Sequence, residues 1–156
     1  MIQDSQEWRQ ARNKKLLEWL GGDVNALNYL LDMGEVLEVW DDLIDKDKPT
    51  PDARINNAFY LMSIKMPQNP FYVAYHQQLM PYWEMALNAW LDSVELEKGG
   101  KQEQMFAHVL RFSGIEVVFP VLRIVRGREV ARSLSLEVRK FFTMYETFDE
   151  YVEKLK

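Results

Sequence analysis

The sequence predicts an all-α fold, a compact single-domain helical bundle of six to seven helices around a central apolar helix at about 102–125. Three observations carry this. Helix start and stop signals recur along the whole chain. No run of useful length alternates apolar and polar residues with the period of a strand. With 156 residues, 47% apolar and 28% charged, the chain has the make-up of one globular domain with a core that needs no metal or disulfide staple.

The elements follow from their punctuation. A first helix is expected over 4–20, with Trp8, Leu16, Trp19 and Leu20 as its larger apolar residues, stopped by Gly21-Gly22. Asp23 is placed to cap a second helix reaching about Asp45, and the 46–49 segment breaks it. Thr50 then caps a third, with Pro51 at its first position, ending before Pro67. Asn69-Pro70 repeats that signal for a fourth helix to Lys98, kinked or divided at Pro81 and ended by Gly99-Gly100. The fifth and most apolar helix, 102–125, holds Gly114 and Pro120 and stops at Gly127. A sixth covers about 128–144. A short last helix starts at Thr147, where Glu150 completes a capping box. The linkers are too short for a domain boundary, so 1–156 reads as one domain.

Composition excludes several classes of function. Without Cys there are no disulfides, thiolate nucleophiles, zinc fingers or iron–sulfur ligands. No secretory leader is visible, and no apolar run reaches a membrane-spanning length, because Glu116, Pro120 and Arg123 interrupt the best stretch, 115–125. These features predict a cytoplasmic protein with no membrane partner. A net charge of −5 opposes nucleic-acid binding, which needs a cationic footprint. The charge is uneven: Asp and Glu crowd 32–52, while Arg111, Arg123, Arg126, Arg128, Arg132, Arg139 and Lys140 crowd the last third. The 13% aromatic content, with five Trp, suits either a core of large side chains or a lined pocket.

The clearest constellation ends the second helix. Glu38, Asp41, Asp42 and Asp45 fall within about a 100° arc at 3.6 residues per turn. They repel one another and sit at the negative end of the helix dipole. Mg²⁺ would compensate them while keeping waters for a phosphate ligand. The other reading is a solvated face, with Val36, Trp40, Leu43 and Ile44 turned inward on the opposite side. Leu27 and Leu31 lie upstream on the acidic arc, so that face passes from apolar to acidic along its length.

Asp41-Asp42-Leu43-Ile44-Asp45, followed by Lys46-Asp47 and a Lys-Pro-Thr turn, resembles the aspartate-rich DDxxD motif of class I isoprenoid (terpenoid) synthases. The resemblance covers about ten residues. It implies that Asp41, Asp42 and Asp45 hold Mg²⁺ ions that bind the diphosphate of an allylic substrate in an all-helical cavity. Such enzymes are usually around twice this length and carry a second metal motif far downstream. The nearest stand-in here is Glu84, Asn88 and Asp92. Glu35-Val-Leu-Glu38 is similar to the first half of the acidic motif of all-helical nucleotide pyrophosphatases, but the second half is missing.

Glu116 lies among Ile115, Val117, Val118 and Phe119, where a carboxylate needs a partner or a proton. Two turns on, Arg123 is the expected partner, and Pro120 leaves the carbonyl of 116 without its helical donor. Glu38, Glu116 and Arg123 are therefore the candidate ligand-binding residues. His76 and His108 stand on separate helices without zinc-site spacing. Two functions remain. One is a small helical protein binding Mg²⁺ and a phosphate- or diphosphate-containing molecule at the acidic helix end, with or without catalysis. The other is a non-catalytic, viral or accessory interaction factor that meets a protein partner, a homodimer included.

Overall fold

In the computed structural model nearly every start signal read from the sequence opens a helix. The structure describes residues 5–46 and 49–155, and of Asp45 the backbone alone. Among the described residues there is no strand. Helix α1 (Gln6–Trp19) is capped by Ser5, whose hydroxyl accepts from the Trp8 amide at 3.1 Å. The expected start at Asp4 lies outside the described residues. Gly21 and Gly22 turn the chain at φ 64° and 86°, values that favour glycine. Asp23 then caps α2 (Val24–Asp45), accepting from the Ala26 amide at 2.9 Å. Lys46 closes α2 in the left-handed region.

The exception is Thr50. Pro51 occupies the cap position itself, so α3 (Asp52–Tyr60) begins one residue later than its signal, and the Thr50 hydroxyl is buried without a hydrogen bond among the described residues. The helix continues as a π turn, Leu61–Lys65, and a 3₁₀ turn, Met66–Gln68. Asn69 accepts from the Phe71 amide at 2.8 Å at the start of α4 (Pro70–Leu96), which runs through Pro81 undivided.

The apolar helix expected over 102–125 is three pieces: α5 (Lys101–Leu110), a 3₁₀ turn (Ser113–Val117) and α6 (Val118–Arg126). Pro120 supplies the reason. It falls in the first turn of α6, where backbone amides have no helical acceptor, so its missing N–H costs nothing there. One stretch, Lys101–Arg126, is by length and composition long and apolar enough to cross a membrane. Gly127, at φ 85°, separates α6 from α7 (Arg128–Thr143). Thr147 and Glu150 form the expected capping box of α8 (Phe148–Lys154), with the Glu150 carboxylate accepting from the Thr147 amide at 2.7 Å.

The chain divides into two compact units, Met1–His76 and Gln77–Lys156. The boundary falls inside α4, not in a linker, so no loop composition could announce it. Buried residues of the first unit include Trp19, Leu20, Ala26, Tyr29 and Met66. Those of the second include Leu79, Ala107, Val121, Leu122, Val138 and Tyr151.

Candidate functional site

Two regions hold unusual chemistry, one in each unit. In the first unit, α2 carries Asp32, Glu35, Glu38 and Asp42 at steps of three or four residues, which places them along one helix face. The chain turns after α2 and returns as α3 with Arg54. Its guanidinium meets Glu35 at 3.3 Å and Glu38 at 3.0 Å, and donates to Asp42. Lys65, at the end of the π turn, donates to Asp32 at 2.8 Å. Asp42 is 3% exposed and Asp32 7%. Burial works against the Arg54 charge, but the Asp42 hydrogen bond, with Glu38 and Glu35, outweighs it and holds the guanidinium above its ordinary value.

This inverts the solvated-face reading of α2. The acids turn inward, and Leu43 and Ile44 are 43% and 47% exposed. The passage of that face from apolar to acidic is present: Leu27 is buried upstream of the ladder. Asp42 and Glu38 stand on Arg54, Asp41 is half-buried beside them, and the Asp45 side chain lies outside the described residues. Among the described residues no cluster of three or more His, Asp or Glu is arranged to hold a metal ion.

The buried Glu116–Arg123 pair is not present as expected. Glu116 sits in the 3₁₀ turn with its side chain 54% exposed, and its carboxylate takes both prongs of Arg139 from α7, at 2.8 and 2.7 Å. Glu116 lies in the 3₁₀ turn and Arg123 in α6, so the two do not share one continuous α-helix. Arg123 is exposed on α6. Arg139 also lies over the Phe119 ring at 4.5 Å, and the Glu116 bond holds its pKa above the ordinary value.

The second region is a groove of about 750 Å³ in the second unit, walled by α5, the 3₁₀ turn and α7. Its lining includes Val109, Phe112, Ile115, Leu136 and Met144, with Arg139 and Lys140 on the α7 side. Val109, Leu136 and Met144 are 68%, 61% and 75% exposed, so the walls are apolar and open to solvent. His108 and Glu146 also line it and are far less exposed. Glu146 receives Lys154 and lies 3.6 Å from Arg111 and 3.8 Å from His108 Nε2. Burial depresses the His108 pKa, Glu146 opposing and Arg111 adding to the effect. Tyr151 donates to Glu97 at 2.6 Å, and burial followed by that carboxylate raises its pKa. This polar layer ties α8 to α5 and α4 behind the groove.

Sequence reasoning passed over the groove. The core stripe of α7 is Ala131, Ser135, Val138 and Phe142. Leu136 and Met144 stand on the opposite face, with Lys140 one turn from each. Two large apolar residues opposite a complete core stripe were a legible signal of a second buried or binding face. No known protein family, characterised protein or solved structure matches the chain.

Proposed function

We propose that this chain is a non-catalytic interaction protein whose groove between α5 and α7 receives an apolar helical segment of a protein partner. The observation that supports it is the exposure of Val109, Leu136 and Met144, at 68%, 61% and 75%, around one concavity of about 750 Å³. Scattered exposed apolar residues are ordinary, whereas several lining one depression mark a binding surface. A small-molecule pocket encloses most of its ligand, whereas three wall residues of this groove are more than half exposed. An amphipathic helix laid in a groove keeps its own polar face in water, which suits a half-open site. Methionine and leucine walls adapt to such a guest at little cost.

The Mg²⁺ and diphosphate reading of Asp41 and Asp42 ranks second. Arg54 already supplies the counter-charge at Glu35, Glu38 and Asp42, so a metal at Asp42 would have to displace the guanidinium paired with that buried carboxylate.

The test is to titrate the ¹⁵N-labelled full chain with a short amphipathic helical peptide bearing leucine and methionine on one face. Amide shifts confined to 105–117 and 133–146 are the expected result. Shifts centred on α2 and α3, or no saturable shift at all, would contradict the proposal.

A further inference from the structure

On α7 the groove does not end at Lys140. A second depression, of about 610 Å³, is lined by Ser133, Leu136, Glu137, Lys140 and Phe141. Leu136 and Lys140 belong to both depressions and form the ridge between them. The ridge is therefore one apolar and one cationic side chain, spaced a single helical turn apart.

The charges around this ridge are not equivalent. Arg139 is committed to Glu116 by two hydrogen bonds and to the Phe119 ring. Arg111 and Lys154 stand on the buried Glu146. Lys140 is exposed and has no ion pair among the described residues. Of the cations lining the two depressions, whose carboxylates are Glu116, Glu137 and Glu146, Lys140 is the one with no ion pair among the described residues. A guest crossing the ridge must pass Lys140, and an apolar or cationic group there would leave the ammonium desolvated or repelled.

Resting on the docking reading above, we propose that the partner is an acidic amphipathic helix, carrying a carboxylate one turn from its apolar anchor. The anchor fills the depression against Val109, Leu136 and Met144, and the carboxylate pairs with Lys140 across the ridge. Because the pair lies at the rim, it selects the partner and its direction more than it adds affinity. Salt should weaken it.

The experiment uses fluorescence anisotropy with two labelled helical peptides identical except at one position. One carries Glu a turn from a leucine anchor and the other carries Lys there. Each is titrated with the full chain and with Lys140→Glu, an exposed position where the change should leave the fold intact. The expected result is that the wild type prefers the Glu peptide by about tenfold and that Lys140→Glu reverses the preference. Equal affinities of both peptides for both proteins would overturn the acidic-partner inference and leave the groove reading standing. Binding of neither peptide would overturn both. Binding to phosphatidylserine vesicles, lost in Lys140→Glu, with neither peptide bound would reassign the surface to a membrane and also overturn both.

Discussion

The ladder on α2 and the outer face of α7 are opposites in composition and in fate. The first is a row of carboxylates whose two ends, Asp32 and Asp42, are buried. The second is a row of leucine and methionine that is exposed. Read alone, each helix face suggests the reverse. What decides the outcome is the element that arrives next. Arg54 on α3 and Lys65 on the π turn bring positive charge to the acids and allow them to be covered. Nothing among the described residues of the second unit covers Leu136 and Met144, so an apolar stripe stays at the surface. A buried row of charge can therefore be structural, and an exposed row of hydrocarbon can be the functional one.

The largest expected effect sharpens this contrast at the ladder. Arg54→Met should remove about 3 kcal/mol from the unfolding free energy, because buried Asp42 loses the guanidinium that pairs with it and Glu35 and Glu38 lose theirs. Glu116→Gln breaks a two-pronged ion pair, but both partners are about half exposed, and it should cost less than about 1 kcal/mol. Urea titrations of the two variants read the difference directly. If Glu116→Gln proved the costlier change, burial would not be what distinguishes the two pairs.

A smaller effect concerns pH. His108 has its folded pKa depressed below the ordinary 6.5, chiefly by burial. The unfolded chain therefore binds a proton at this site before the folded chain does, and stability falls as the pH drops below about 6.5. Above that value His108 is neutral in both states and contributes no slope. His76 is lowered by burial as well and adds in the same direction. Melting temperature measured from pH 7.5 to 5 should decline through this window, and His108→Gln should flatten the decline. An unchanged slope in the variant would mean that His108 is not a source of it.

Most of the fold was legible in the sequence, because local chemistry determined it. Asp23, Gly21-Gly22, Asn69, Gly127 and the Thr147–Glu150 box act within a few residues of their own position. The breaks that were misplaced depend on how one residue sits inside its turn. Pro51 as cap displaced Thr50, and Pro120 in a first turn divided one helix into two. The candidate sites were less legible because they depend on neighbours far along the chain. That Arg54 would fold back on Glu35, Glu38 and Asp42, or that Arg139 and not Arg123 would meet Glu116, is written in tertiary placement and not in spacing. The face opposite the α7 core stripe was readable from spacing alone, because Leu136 falls on the far side of the helix from Ala131, Ser135, Val138 and Phe142.

The central claim is that this face binds, and the double variant Leu136→Asp with Met144→Asp tests it most directly. Both side chains are more than half exposed, so the substitution should leave the melting temperature within about 2 °C of the wild type, as surface changes generally do. The same variant should bind the amphipathic peptide at least about tenfold more weakly, since two anchoring contacts become charged. Lost binding with an intact fold is the predicted result. Undiminished binding would contradict the account, as would a collapse in stability showing that Leu136 and Met144 serve the core.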